Sequence, residues 1–122
     1  GRLRPRLWSF EPRHDGLSQE SEIHKNNYSC YSSAEFAAAM KESAAQGQEV
    51  IVIGYGSTLC CISTLIDGYH RGHNMVYVSD ASNAKASANL GEESLHVHAT
   101  DIIRAYAKVL TTEQVLQQAP AK

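Results

Sequence analysis

The sequence predicts an α/β fold, in which a mostly parallel sheet is covered by helices on both faces. A continuous β-branched run at Val50–Ile53 is typical of a buried parallel strand rather than of an alternating edge strand. Strand-like and helix-like segments alternate along the chain at the spacing of β-α-β units. The chain has 122 residues, of which 43% are hydrophobic, and this suits one domain with a core of its own.

The first half of the chain is predicted to contain an irregular segment, a short strand and a helix. Residues 1–20 are polar, aperiodic and interrupted by proline, so we expect a loop there. A short strand is expected over Glu22–Asn26. A helix is predicted over Glu35–Ala45, because Ser33 can cap its start, an apolar stripe follows, and Gly47 can end it.

The second half is predicted to complete the β-α-β units. After the strand Val50–Ile53 we expect a helix over Leu59–His70, a strand over Met75–Ser79, a polar loop over Ala81–Gly91, a helix over Glu92–Ala107, a strand at Val109–Leu110 and a helix ending at Gln117. Residues 21–117 are treated as the domain and residues 118–122 as a frayed tail. The arrangement predicts three layers, α/β/α, in a Rossmann-like order.

Composition and charge exclude several classes of function. With 11 Lys+Arg against 13 Asp+Glu the net charge is -2, which argues against a nucleic-acid partner. No apolar run approaches the roughly 18 residues of a membrane span, so no membrane partner is expected. Three cysteines cannot make a fully paired disulfide framework, which favours a reducing compartment and a cytoplasmic location.

Two adjacent cysteines, Cys60 and Cys61, follow the strand Val50–Ile53 where a turn leads into a helix. Ligands gather at the carboxyl ends of parallel strands. A thiol in the first turn of a helix lies at the positive end of the helix dipole, which favours the thiolate. N–H groups of that turn can hold a developing oxyanion, and Gly54 and Gly56 permit an unusual backbone path. The arrangement suits nucleophilic acyl transfer, with a buried structural thiol as the alternative.

The segment around the cysteines resembles the nucleophile segment of the isochorismatase-like cysteine hydrolases. Residues 54–64 are Gly-Tyr-Gly-Ser-Thr-Leu-Cys-Cys-Ile-Ser-Thr, and the family pattern runs loosely Gly-Val-x-Thr-x-x-Cys-Val-x-x-Thr. Lys25-Asn26-Asn27-Tyr28-Ser29 is similar to the family's Lys-x-x-Tyr-Ser segment. The likeness continues at Asp67, Arg71-Gly72, Asp80-Ala81 and Val109–Glu113. It covers about residues 20 to 117.

The resemblance implies a Cys–Asp–Lys triad in which Cys60 is the nucleophile and Lys25 is the catalytic lysine. A cation near the thiol favours the thiolate by Coulomb attraction. The family also implies a non-prolyl cis peptide bond at Gly56 and Ser57, which would shape the oxyanion hole. The residues expected to bind the substrate are Tyr28 and Tyr55.

The function implied in this way is hydrolysis of a small amide, or of a related C–N bond, through a thioester on Cys60. No cofactor is expected, and the expected partners are a small-molecule substrate and further copies of the chain in a homo-oligomer. Cys61 stands where some siderophore-pathway isochorismatases have cysteine, so vinyl-ether hydrolysis is an alternative. A non-catalytic relative that serves binding or assembly is another.

One triad residue has no counterpart. The family's aspartate follows an apolar first strand, whereas Asp15 lies in a polar turn, so the role is not transferred to it. The family's first two strands and the helix between them are also missing. We therefore expect this chain to be the C-terminal part of a longer protein, with an unpaired edge along Val50–Ile53.

A metal site is the weaker alternative. The close histidine pairs are His70 with His73 and His96 with His98. Residues at positions i and i+2 of a helix do not face each other, so the second pair is poorly placed to chelate. We expect no metal.

Overall fold

The computed structural model describes Trp8–Ser9 and residues 21–118, with side chains from residue 23 onward. Two parallel sheets are present in this part: β1 (Trp8–Ser9) pairs with β2 (Ser21–Glu22), and β3 (Val50–Tyr55), β4 (Met75–Asn83) and β5 (Lys108–Leu110) pair in that order. The helices are α1 (Ala34–Ala45), α2 (Ile62–His70), α3 (Glu92–Ile103) and α4 (Thr112–Gln118). The predicted α/β class with a parallel sheet is confirmed.

The amino-terminal segment departs from the predicted loop at β1. This strand lies within residues 1–20, for which no regular structure was expected, and it pairs in parallel with β2. The strand predicted over Glu22–Asn26 instead ends at Glu22, and the next residue, Ile23, packs into the core. Strands as short as β1 and β2 are too short to show a hydrophobic period in the sequence. They are recognised only by their pairing in the structure. The predicted turn at Asp15 lies outside the described residues.

Helix α1 follows its sequence signals. Ser33 has an extended backbone, and its hydroxyl accepts a hydrogen bond from the Phe36 N–H at 3.2 Å, which caps the helix. Phe36 and Met40, four residues apart on one face, are buried. After the helix Gly47 has a φ of +76°, a left-handed conformation that favours glycine.

Strand β3 lies at the edge of the three-stranded sheet, and its one strand partner in the described part of the chain is β4. We predicted burial on both faces of this strand, and that prediction is wrong. Val50 and Val52 face the core, whereas Ile51 and Ile53 are 47% and 60% exposed. The reason is that nothing described here packs on the second face of β3. The free edge agrees with the expectation that neighbouring strands are missing.

The main buried cluster lies on the sheet face that bears Val50 and Tyr77, and Val76 and Val78 are buried on the opposite face of β4. The buried residues of the cluster come from the strands, from α1 to α3 and from the segments that join them: Ile23, Tyr31, Phe36, Met40, Val50, Cys61, Leu65, Met75, Tyr77 and Ile103. One cluster packs three helices against the sheet. Strand β3, which precedes Cys60, and helix α2, which follows it, therefore pack against the same buried residues.

A β-bulge at Gly54 shapes the carboxyl end of β3. The pairing register with β4 shifts between Val52 and Gly54. Gly54 has a φ of +129°, which other residues rarely adopt, and its N–H donates to Ser82 Oγ at 3.2 Å. Beyond the bulge the pairing resumes, so β4 runs to Asn83 rather than ending at Ser79 as predicted.

The last two helices begin near their predicted starts and differ at their ends. Helix α3 stops at Ile103 rather than Ala107, because residues 104–106 form a turn into β5. Helix α4 includes Gln118, the first residue of the predicted frayed tail, and residues 119–122 lie outside the described part. Across residues 21–118 no helix combines the length and the apolar character needed to cross a membrane.

Candidate active site

The cysteine pair lies in a helical turn between β3 and α2. Ser57–Cys61 forms a π-helical turn, where we had predicted the start of an α-helix. Gly56, just before it, is extended, and its carbonyl accepts hydrogen bonds from two N–H groups of the turn, each at 3.1 Å. Cys60 is half-buried and Cys61 is buried. Cys60 therefore lies at the carboxyl end of a parallel strand and at the beginning of a helical segment.

The expectation of a cis peptide bond at Gly56 and Ser57 is wrong, since the described residues contain no cis bond. A cis bond before a residue other than proline costs about 3–4 kcal/mol. Here the extended backbone of Gly56 leads into the turn through a trans bond, and the turn closes by hydrogen bonds to the Gly56 carbonyl. The N–H groups of the turn remain the candidates for holding an oxyanion.

The described cysteines, Cys30, Cys60 and Cys61, are all free thiols. Burial raises the pKa of the Cys61 thiol to about 11, and Cys61 Sγ lies 3.7 Å from the carbonyl oxygen of Gly54. Burial also raises the pKa of the Cys30 thiol above its ordinary value. At neutral pH both groups are protonated and poorly nucleophilic, which leaves Cys60 as the candidate nucleophile.

Lys25 lies beside Cys60, although 35 positions separate them in the sequence. Lys25 Nζ donates to Cys60 Sγ at 3.4 Å and to the carbonyl oxygen of Asn27 at 2.8 Å. An ammonium group at this distance stabilises a thiolate by Coulomb attraction. The structure thus brings together the two residues that the family resemblance pairs.

One face of the helix that follows Cys60 holds the lysine segment in place. The Cys30 N–H donates to Thr64 Oγ1 at 2.9 Å, and Ser29 Oγ donates to Asp67 Oδ2 at 2.9 Å. Thr64 and Asp67 come four and seven residues after Cys60, so all three lie on one side of the helical segment. The helix that follows the thiol therefore also anchors the segment that carries Lys25.

Arg71, one turn further along α2, extends this contact. Its Nε donates to Asp67 Oδ1 at 2.9 Å, and its guanidinium lies 4.7 Å from the centre of the Tyr31 ring. The hydroxyl of Tyr31, a buried residue, is 2.8 Å from His73 Nδ1. Asp67 and Arg71 match the family pattern, but a pattern does not show which side chains they touch, so their contacts could not be predicted from the sequence.

We expect Asp67→Asn to lower the free energy of unfolding at neutral pH, and to lower it less as the pH becomes acidic. Burial alone raises the pKa of Asp67, but hydrogen bonds from Arg71 and Ser29 outweigh it and hold the pKa below the ordinary 3.8. The ionised carboxylate therefore stabilises the fold fully above pH 3.8, and this stabilisation is lost as the pH falls through the lower folded-state value. At neutral pH the variant should lose about 1 kcal/mol of unfolding free energy.

Urea unfolding of the two proteins from neutral pH to below pH 3.8 measures this difference, which should shrink toward zero at the acid end. Asp101→Asn is the matched control, because the Asp101 side chain is 81% exposed and lies 3.7 Å from Arg104. A loss at Asp101 equal to that at Asp67, or a difference that does not depend on pH, would contradict the assignment.

The two tyrosines predicted to bind the substrate are both exposed. Tyr55 ends β3 and is 61% exposed, and Tyr28 follows Lys25 in the loop and is 56% exposed. Their placement gives them access to a ligand, and their role stays a prediction.

The histidine pairs form no metal site within the described residues, where no three His, Cys, Asp or Glu side chains are grouped to hold an ion. Their ring nitrogens instead contact other atoms: Ile66 O (His70), Tyr31 Oη (His73), Ser57 Oγ (His96) and Ser94 O (His98). From the sequence, His96 was considered only as a possible metal ligand. Its contact with Ser57 depends on how α3 packs against the cysteine turn, for which the sequence offers no signal.

Comparison with known proteins assigns the chain to a family. A family model described as the isochorismatase domain matches residues 2–114. The chain belongs to the isochorismatase family. The resemblance seen in the sequence is thereby confirmed. No curated protein matches the chain.

Solved structures of isochorismatase-family hydrolases share the fold. An isochorismatase-like hydrolase from Alkaliphilus metalliredigens is 22% identical with a TM-score of 0.70, over 88% of this chain and 52% of that one. A cysteine hydrolase from Pseudomonas syringae pv. phaseolicola is 23% identical with a TM-score of 0.73, over 88% and 50%. Nicotinamidase from Bacillus subtilis is 20% identical with a TM-score of 0.63, over 80% and 50%. The chain thus spans about half the length of these proteins, and the three-layer, Rossmann-like class is confirmed.

Proposed function

We propose that the protein is a cysteine hydrolase that cleaves a small amide, or a related C–N bond, through a thioester on Cys60. The observation that carries the proposal is the 3.4 Å contact between Lys25 Nζ and Cys60 Sγ at the carboxyl end of β3. A cation held against a half-buried thiol favours the thiolate, which is the nucleophilic form. The cysteine hydrolase and the nicotinamidase among the similar structures support this chemistry.

The reaction takes place in two stages. The Cys60 thiolate attacks the carbonyl carbon of the amide, and the negative charge that develops on the carbonyl oxygen is held by N–H groups of the Ser57–Cys61 turn. The nitrogen accepts a proton and leaves as ammonia or an amine, so the acyl group remains on sulfur as a thioester. Water then attacks the thioester, which releases the carboxylic acid and restores the thiol.

We propose that the leaving nitrogen takes its proton from the family's triad aspartate, a role that no residue described here fills. In the family this residue follows the first strand, and we propose that such a strand pairs in parallel with the free edge of β3. Ile51 and Ile53, which are 47% and 60% exposed, would then be covered by the rest of the protein. Tyr28 and Tyr55 would line the substrate pocket. The homo-oligomer and the cytoplasmic location stay predictions.

Vinyl-ether hydrolysis, the alternative that Cys61 raised, receives less support. Cys61 is 3% exposed and its thiol lies against the Gly54 carbonyl. A buried side chain in this position does not touch a substrate. The half-buried Cys60, next to Lys25, is the better candidate, and amide hydrolysis is the chemistry that a cysteine nucleophile serves.

Alkylation of the intact natural protein by iodoacetamide at neutral pH tests the proposal, with the modified cysteine identified by peptide mass mapping. We expect Cys60 to react first, because burial keeps Cys30 and Cys61 protonated. Lys25→Met should slow the reaction at Cys60 roughly tenfold, because the thiolate loses its cation.

Lys41→Met, on the exposed side of α1, is the matched control and should leave the rate unchanged. An inert Cys60 would favour the non-catalytic interpretation and overturn the proposal. So would a rate at Cys60 that does not change when Lys25 is replaced.

A further inference from the structure

Ser57, the first residue of the turn that carries Cys60, is 0% exposed and lies in a chain of hydrogen bonds. Its Oγ is 2.7 Å from Nδ1 of His96 on α3, and the hydroxyl of Tyr77 on β4 donates to it at 3.0 Å. The other ring nitrogen of His96, Nε2, is 2.9 Å from the carbonyl oxygen of Ser79. A fully buried hydroxyl does not touch a substrate, so this chain serves another purpose.

The chemistry of the groups fixes the direction of these bonds. The carbonyl of Ser79 only accepts, so His96 Nε2 carries the hydrogen and, in the neutral ring, Nδ1 is the acceptor. The Ser57 hydroxyl therefore donates to His96, and its oxygen is left to accept from Tyr77. Every member of the chain is satisfied in one arrangement, and such a network holds its members in a single geometry.

We propose that His96 is a positioning residue for the nucleophile: through Ser57 it fixes the turn that presents Cys60 to Lys25. The proposal rests on the proposed function of Cys60. Ser57 precedes Cys60 by three residues within one turn, and its carbonyl accepts a hydrogen bond from Ile62, the first residue of α2. A displacement of Ser57 is therefore passed along the backbone to the thiol.

The network connects the turn to the buried core and to strand β4. Tyr77 is 0% exposed in the middle of the core, and Ser79 lies on the same strand. His96 joins both to the turn from α3, and Thr100, one turn further along α3, donates to the His96 carbonyl oxygen at 2.8 Å. Without the histidine, α3 loses its hydrogen bond of this network to the cysteine turn, and Tyr77 becomes the one remaining partner of the Ser57 side chain among the described hydrogen bonds.

Two conservative variants of His96 distinguish its hydrogen bond to Ser57 from its hydrogen bond to Ser79. His96→Asn keeps an acceptor near the Nδ1 position for Ser57, whereas His96→Gln keeps a donor near the Nε2 position for Ser79. The readout is the rate of Cys60 alkylation by iodoacetamide at neutral pH in the intact natural protein, which requires no substrate. We expect about a tenfold loss in the glutamine variant and a smaller loss in the asparagine variant, because a small misplacement of a reacting group is costly.

The matched control is His98→Gln, on the same helix, whose exposed ring contacts only the Ser94 carbonyl among the described hydrogen bonds, and which should react like the wild type. Equal rates in His96→Gln and wild type would overturn the positioning role alone. Equal losses in the asparagine and glutamine variants would also overturn it, since a general packing role does not distinguish them. An unreactive wild-type Cys60 would instead overturn the proposed function.

Chemical rescue gives a second measurement that does not depend on how well a replacement side chain packs. His96 borders a solvent-open cavity of about 400 Å³ whose lining also includes Ser79 and Thr100. Free imidazole can therefore enter the space left in His96→Ala. We expect added imidazole to restore most of the alkylation rate at Cys60, and to have no effect on Lys25→Met. No recovery in His96→Ala would overturn the role.

Discussion

Replacing Cys60 with serine is expected to lower amide hydrolysis by the intact natural protein at least about a thousandfold, because a hydroxyl beside Lys25 is far less ionised than a thiol. The pair is 3.4 Å apart, close enough for the cation to act on the sulfur directly. The measurement is release of ammonia or amine from a panel of small primary and secondary carboxamides, nicotinamide among them. Mass spectrometry of the wild type during turnover should also show an acyl adduct on Cys60.

Cys61→Ala is the matched control for this experiment. Its thiol is buried and lies against the Gly54 carbonyl, so its loss should affect stability more than turnover. Full activity in Cys60→Ser, or loss of turnover in Cys61→Ala with Cys60→Ser unaffected, would rule out the thioester on Cys60. Loss of turnover in Cys61→Ala alone would favour vinyl-ether hydrolysis instead.

Gly68→Ala is expected to destabilise the protein by about 2 kcal/mol, although alanine in a helix is normally about 1 kcal/mol better than glycine. A Cβ at position 68 would lie 2.6 Å from Met75 Cε and 2.9 Å from the Tyr31 hydroxyl. Both neighbours are core residues; the Met75 side chain is flexible, but the Tyr31 hydroxyl is fixed by its rigid ring, so both would have to shift to admit the methyl group. Urea unfolding monitored by circular dichroism measures the change in unfolding free energy.

Gly91→Ala provides the comparison, because a Cβ there meets nothing within 4 Å. Because Gly91 is the N-cap of α3, a position where glycine is preferred to alanine, the unfolding free energy should fall by about 1 kcal/mol at most, without a steric contribution. The double variant Gly68→Ala/Met75→Val should be more stable than the sum of its single variants, because the shorter side chain makes room for the new methyl group. A stabilised Gly68→Ala, or strict additivity, would show that the close approach of α2 to β4 is not tight.

The elements that the sequence predicted well are those whose signals are local. Ser33 caps α1 as expected, and Gly47 follows its end, because a cap and a left-handed glycine depend only on neighbouring residues. The exposure of Ile51 and the extension of β4 to Asn83 were missed. Both depend on pairing and on layers that a single strand's composition does not reveal.

The candidate site also has features that the sequence predicted and features that it could not predict. Family resemblance suggested that Lys25 and Cys60 act together, and the structure places them in contact. The resemblance also implied a cis bond that the described residues do not contain. The links from Asp67 to Ser29 and from His96 to Ser57 were not predicted, because each joins residues 38 or 39 positions apart through the packing of a helix.

The anchoring of the lysine segment on α2 has a consequence for how the site can move. Thr64 and Asp67 bind Cys30 and Ser29, so the segment that follows Lys25 is fastened to α2, which begins two residues after Cys60. The turn that bears Cys60 is bonded through Ser57 to Tyr77 and His96, so a tilt of α2 relative to the sheet would move the lysine segment more than the thiol. The distance between Lys25 Nζ and Cys60 Sγ therefore depends on the angle between α2 and the sheet.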